Sequence, residues 1–161
     1  MKKITKFLVV SSVLAMLFAV PVMAKEVSIS ADNTDYLLTL INNNNAKVNN
    51  DLAAFIKAQS GPAAETAIAQ QTALVNSTLA KINKEVAENH IVLLEKKVYN
   101  AKQLEATRLA QLNNFKSLMQ MSNTWAPKLD MVQKEYDRCV NARAAAEANL
   151  ADAKVKLAPY L

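Results

Sequence analysis

The chain has 161 residues, 52% of them hydrophobic, with 19 basic side chains, 14 acidic side chains and one glycine, where ordinary usage near 7% predicts about ten. Because sheets, tight hairpins and phosphate-binding loops depend on glycine, this composition indicates an all-helical chain with few turns. The charges alternate in sign and form no basic stripe interleaved with aromatic residues, which excludes a typical nucleic-acid-binding protein.

The first 24 residues have the three parts of a secretory signal peptide. Three lysines within the first six residues precede the apolar stretch "FLVVSSVLAMLFAV", and Val22-Met23-Ala24 is a suitable peptidase site. We expect cleavage after Ala24 and a single elongated helical domain over residues 25–161. Loss of the three lysines would lower the net charge from +5 to +2. An uncleaved anchor is the alternative, but Pro21 ends the apolar stretch before the roughly 20 residues of a membrane span.

The first predicted helix covers about residues 33–59, with Asp32 or Asn33 as its N-cap. Its apolar residues follow a helical spacing along one face, which we call the seam, if Asn44 or Asn45 occupies one position of that face. The seam residues are Leu37, Ile41, Val48, Leu52 and Phe55. Asparagine competes with the backbone for hydrogen bonds, so a kink or short loop over residues 42–45 is an alternative.

Gly61-Pro62 marks the first break, because glycine suits the position after a helix and proline suits the first turn of the next. The second predicted helix then continues from about residue 63 to 121. Its apolar positions start in heptads and later recur every 11 residues. The 11-residue series is Ile82, Leu93, Leu104 and Phe115. Such a repeat predicts a nearly straight helix, about 90 Å long.

The stretch "SNTWAPK" marks the second break, and the third predicted helix covers about residues 128–158. Its seam alternates by three and four residues, as in a coiled coil. The seam positions are Leu129, Val132, Tyr136, Cys139, Arg143, Ala146, Leu150, Ala153 and Leu157. The preferred interpretation of Arg143 is a side chain extended over small neighbours towards water. The alternative is that it sets the register of the helices or forms an ion pair with a glutamate of the second helix.

The predicted lengths fit together, since the two outer helices, roughly 40 and 46 Å long, sum to about the length of the central one. Short connections make consecutive helices antiparallel neighbours. We therefore predict an all-α fold, an elongated antiparallel helical hairpin or coiled coil. One long central helix (about 63–121) is flanked by two shorter helices (about 33–59 and 128–158), whose far ends meet beside residues 88–94.

The segment His90-Ile91-Val92-Leu93-Leu94 is the main candidate interface. Four consecutive aliphatic side chains sweep about 300° around a helix, more than a single neighbouring helix covers. We predict a homodimer or higher homo-oligomer centred on Ile91–Leu94 with His90 at its border. Trp125 is the second candidate. It either caps the hydrophobic end of the hairpin, which we prefer, or anchors a partner.

The inventory of reactive side chains is small. One histidine and one cysteine, 49 positions apart, cannot supply the three or four ligands of a transition-metal site. No nucleophile elbow, phosphate loop or calcium loop is present. We predict no catalytic, cofactor or metal site, and a neutral, hydrogen-bonded His90 within helix packing. Cys139 is interpreted as a buried thiol, with a bridge between copies as the alternative.

These patterns predict a non-enzymatic coiled-coil protein of a bacterium, secreted or periplasmic, that self-associates and binds an unidentified protein or envelope partner. It would bind no nucleic acid and keep no stable membrane anchor after cleavage. An extracytoplasmic holdase chaperone or an amphipathic lipid-binding protein is the alternative. That alternative requires broad apolar faces and loose packing, whereas a regular seam favours self-association.

The leader generates the first testable prediction. Expression in a bacterial host should yield an extracytoplasmic product whose N-terminal residue is Lys25, because a signal peptidase cuts after small residues at the end of the apolar stretch. Intact mass measurement checks the cleavage site. Recovery of the chain in the membrane fraction with Met1 retained would contradict the prediction.

Overall fold

The computed structural model describes residues 33–61, 63–121 and 126–161. This part of the chain consists of three α-helices, a final 3-10 turn and no strand. Helix α1 spans Thr34–Ala58, α2 spans Ala64–Met121 and α3 spans Ala126–Leu157; the turn is Ala158–Tyr160. The predicted all-α fold, with one long central helix between two shorter ones, is confirmed. The proposed signal peptide and Trp125 lie outside the described residues.

Helix α1 begins at an asparagine cap. The Asn33 side chain accepts a 3.0 Å hydrogen bond from the backbone N–H of Tyr36, which satisfies one of the donors left open at a helix start. The helix then continues without interruption through residues 42–45, so the predicted alternative of a short loop is wrong. Buried Ile41 and Val48 on either side of the run hold α1 in place.

The connection between α1 and α2 is short and turns at a glycine. Gly61 has a φ of 102°, in the left-handed region that only glycine adopts without strain. The Gln59 N–H donates to the Ile56 carbonyl oxygen, and the Ala64 N–H donates to the Gly61 carbonyl oxygen. One helix therefore ends and the next begins within a few residues, as the Gly-Pro pair predicts.

The structure divides into two compact units. The first unit comprises, in the described part, residues 33–90 and 157–161. Val48 and Leu52 of α1 form its main apolar cluster with Val75 of α2, and Phe55 and Leu79 pack against it. A one-sided helix pair of this kind buries a single stripe from each helix.

The second unit comprises residues 91–156, which contain the rest of α2 and nearly all of α3. Ion pairs join Glu95 to Lys154 (2.8 Å) and Lys102 to Glu147 (3.0 Å). The paired positions move backwards along α3 as they move forwards along α2, so the two helices are antiparallel. The buried apolar residues between them are Leu94, Val98, Leu112, Val132, Cys139 and Ala153.

All nine predicted seam positions of α3 are buried or half-buried. The alanines between them at 144, 145, 148 and 151 are exposed. The alternation of three and four residues therefore separates the covered side of α3 from its open side, which is how a 3.6-residue helix carries a narrow apolar stripe.

Two leucines eight residues apart on α2 provide a test of this core. Leu112 is 2% exposed and Leu104 is 49% exposed. We expect Leu112→Ala to lower the free energy of unfolding by about 2–5 kcal/mol, because it leaves a cavity. The matched variant Leu104→Ala should change it by less than about 1 kcal/mol. Urea denaturation followed by circular dichroism measures both, and equal losses would contradict the assigned core.

Candidate functional site

The predicted interface segment is only partly uncovered. His90 is fully buried, Leu94 is 3% exposed and Ile91 is half-buried. Val92 and Leu93, in contrast, are 59% and 36% exposed. Two of the four aliphatic side chains thus serve the interior of the protein, and two remain available at its surface.

Val92 lies on the side of α2 that faces away from the core. At about 100° per residue, Val92 and the buried Leu94 point about 160° apart around the helix. Tyr99, seven residues further on, returns to nearly the same face and is 62% exposed. Glu88 and Lys96 are exposed one turn before and one turn after Val92. We call Val92, Lys96 and Tyr99, which all belong to the second unit, the outer face of α2.

His90 takes part in helix packing within the first unit. Its Nε2 atom shares a 3.1 Å hydrogen bond with Thr34 Oγ1, and the tautomer decides which group donates. Both residues are buried. In the described part of the chain, no group of three or more His, Cys, Asp or Glu side chains could hold a metal ion. The contact with Thr34 matches the predicted hydrogen-bonded role.

Arg143 is paired, so the preferred interpretation of a side chain merely extended towards water is wrong. Its guanidinium donates to the carboxylate of Glu105 on α2 and to Glu147 one turn along α3, at 2.7 Å. Small alanine neighbours leave room for the side chain to reach α2. The predicted alternative, an ion pair with a glutamate of the second helix, describes the structure.

Two groups of this network have shifted pKa values. A hydrogen bond to Glu105 raises the pKa of Arg143. A hydrogen bond from Lys102, reinforced by the Arg143 charge, lowers the pKa of Glu147. Both shifts favour the charged forms, so Arg143 and Glu147 stay ionised at neutral pH. Such an arrangement fixes the register of two helices and holds no group poised for acid–base chemistry.

A second feature, in the first unit, is a cavity of about 350 Å³. Four asparagines line it, together with Leu79, Ala80 and the C-terminal Pro159 and Tyr160. The four are Asn45, Asn49, Asn76 and Asn83. Asn83 Nδ2 donates a 3.0 Å hydrogen bond to Asn45 Oδ1, and Asn83 is only 7% exposed. Its own Oδ1 is buried and has no hydrogen-bond partner among the described residues.

Sequence reasoning missed this cavity, because it treated the asparagines only as an obstacle to the helix. One signal was available. Asn45 and Asn49 are four residues apart, and Asn76 and Asn83 are seven apart, so each pair lies on one helix face. That the two faces meet depends on the helix register, and the participation of Tyr160 depends on the path of the C-terminal turn.

The remaining predicted positions give no cluster of reactive groups. Cys139 is 8% exposed and unpaired by any disulfide. Trp125 lies outside the described residues, so its role stays a prediction. No helix of the described part is long and apolar enough to cross a membrane. No family model, curated protein or solved structure matches this chain significantly.

The burial of Cys139 generates a kinetic prediction. Reaction of the folded protein with a thiol reagent should be at least about tenfold slower than reaction in denaturant, because the thiol becomes accessible only when α3 opens locally. Absorbance of the released thiolate measures the rate. As a matched control, Cys139→Ser with Ala148→Cys places the thiol at an exposed position of the same helix and should react fast. Equal rates for the two proteins would show that Cys139 is accessible.

Proposed function

We propose that this protein is exported and acts without catalysis, by self-association through the outer face of α2. The assembled helices would then bind a protein or envelope partner. One observation carries the proposal: Val92 and Tyr99 are 59% and 62% exposed on the side of α2 that turns away from its core. The N-terminal leader pattern supports an extracytoplasmic location.

Self-association would bury exposed apolar side chains of α2. Among the described residues of the second unit, α2 packs against α3, and the side of α2 opposite α3 is exposed. Full burial of a side chain such as valine is worth about 1.5–3 kcal/mol. Large apolar residues at matching positions of a long, regular helix are typical anchors for another helix. A second copy of α2 presents the same anchors in the same spacing.

The charges on either side of Val92 complement those of a second copy of the helix. Glu88 and Lys96 lie four residues before and four after Val92. In a two-fold symmetric antiparallel pair centred on Val92, Glu88 of one copy faces Lys96 of the other, and the symmetry repeats the pair. Lys84 lies 3.7 Å from Glu88 within the same helix, which leaves the carboxylate able to accept from a second cation. A parallel pair would instead place like charges together.

The predicted alternative is an extracytoplasmic holdase or amphipathic lipid binder, and one observation favours it. Leu104 and Leu109 are 49% and 40% exposed, and at about 100° per residue they lie on opposite flanks of the outer face. Apolar side chains on several sides suit a broad, unspecific client surface. Binding of an apolar fluorescent dye by the native protein would favour this second function.

The test of self-association is the molar mass of the purified protein by light scattering at micromolar concentration. We expect the wild type to have twice the mass of the chain. Val92→Ser with Tyr99→Ser should reduce the mass to that of one chain, because both anchors of the contact are lost. The matched control, Leu104→Ser with Leu109→Ser, replaces two exposed apolar residues that lie about 100° or more around the helix from Val92 and should stay dimeric.

Charge reversal tests the antiparallel geometry. Glu88→Lys alone should weaken the dimer about tenfold or more by placing two lysines opposite each other, and adding Lys96→Glu should restore it. Sedimentation equilibrium gives the dissociation constants. A monomeric wild type contradicts the proposal. Failure of the double reversal to restore the affinity would contradict the antiparallel arrangement.

A further inference from the structure

The asparagine-lined cavity of the first unit has properties that packing alone does not require. We propose that it is a binding site for a neutral sugar, whose hydroxyl groups the asparagine carboxamides recognise. The site is independent of the outer face of α2, since no residue belongs to both. Three features of the cavity support this assignment: the charge of its lining, the hydrogen-bonding state of Asn83 and the nature of its walls.

The lining selects for a neutral ligand. Among the described residues, its polar side chains are four carboxamides and one phenol, and no Asp, Glu, Lys, Arg or His lines it. A phosphate or carboxylate would have no countercharge there, and burial of an unpaired charge is unfavourable. A carboxamide both donates and accepts hydrogen bonds, and so does a hydroxyl group. A ligand with several hydroxyls can therefore engage several of these asparagines at once.

Asn83 supplies the specific recognition point. Its Nδ2 donates to Asn45 Oδ1, while its own Oδ1 is buried without a partner among the described residues. Exchanging the oxygen and nitrogen of the amide does not remove the problem, because one of its two polar atoms is left over in either orientation. Buried polar atoms in folded proteins almost always have a partner. The exposed surface of Asn83 Oδ1 is below 1 Å², so an O–H group of a bound molecule would provide a partner once the Asn83 side chain turns towards the cavity.

The walls match the carbon framework of a sugar. Leu79 and Ala80 line the cavity from α2, and Pro159 and Tyr160 line it from the C-terminal turn. These groups can cover the C–H faces of a sugar ring while the carboxamides contact its edge. The volume of about 350 Å³ lies at the lower end of small-molecule sites, which suits one or two rings.

The C-terminal turn is held where it lines the cavity. The Tyr160 hydroxyl donates a 3.3 Å hydrogen bond to Asn42 Oδ1 on α1, and Tyr160 is half-buried. The wall is therefore attached to α1 and available before a ligand binds, which reduces the ordering that binding requires.

The experiment is a titration of the ¹⁵N-labelled protein, observed through the side-chain amide resonances of its asparagines. Glucose, galactose, mannose and maltose are the probes. We expect at least one of them to shift the resonances of Asn45, Asn49, Asn76 and Asn83 with a Kd on the order of 1 mM, as ligands of this size typically bind.

Neighbouring asparagines provide matched variants. Asn49 lines the cavity, whereas Asn50 beside it does not. Asn49→Ala should weaken binding at least about threefold and Asn50→Ala should leave it unchanged. Asn83→Leu should abolish the shifts while the protein stays folded, because leucine removes both the unpartnered atom and the donor to Asn45 Oδ1. A circular dichroism melt establishes that each variant is folded.

Three results would overturn the proposal. The first is the absence of a shift at about 50 mM of every sugar, far above the expected Kd. The second is a shift that N-acetylglycinamide causes and none of the four sugars causes, because this result would assign the cavity to a peptide carboxamide. The third is an unchanged sugar response in Asn83→Leu when that variant is folded, which would place the binding elsewhere.

Discussion

The structure depends on one constraint: among the described residues, each part of α2 packs against a single shorter helix, so it can bury only one stripe of its surface. In the first unit the partner is α1, and in the second it is α3. A helix with one neighbour covers about a third of its circumference. Every apolar residue outside that stripe remains exposed, as Val92 and Tyr99 do. The outer face of α2 is therefore a direct consequence of one-sided packing, and a second copy is the simplest cover for it.

One-sided packing also explains the use of polar groups between the helices. Apolar stripes made largely of leucine, valine and alanine tolerate shifts along the helix axis, because the contacts are similar in several registers. Asn83 with Asn45 in the first unit, and Glu105 with Arg143 in the second, form in one register only. Ion pairs at partly exposed positions contribute little free energy. Their main effect is to favour one register, because any other register of the two helices leaves these groups without hydrogen-bond partners.

The fold was predictable from the sequence because its signals are local and repeated. The helix of α3 is encoded by nine seam positions, so no single residue decides it, and the first turn is marked by Gly61. The details of the candidate sites are different in kind. Whether Arg143 reaches Glu105 depends on the axial register of two helices, which residue types alone do not specify. The run Ile91–Leu94 indicated that a single neighbouring helix could not cover all four side chains. Which of the four are covered follows from the direction of the partner helix.

Asn83 argues most strongly that the first unit does more than fold. Asn45 alone would need one donor, which many side chains at position 83 could supply, and leucine there would extend the apolar cluster of Val48, Leu52 and Val75. Instead the position holds an amide with one buried atom unused, at a cost of about 1–3 kcal/mol when nothing bonds to it. Violations of the local rules of packing are expected where a site serves binding. A hydroxyl group bound in the cavity would offset this cost if the Asn83 side chain turned Oδ1 towards it, so the same atom that weakens the empty protein would strengthen its complex.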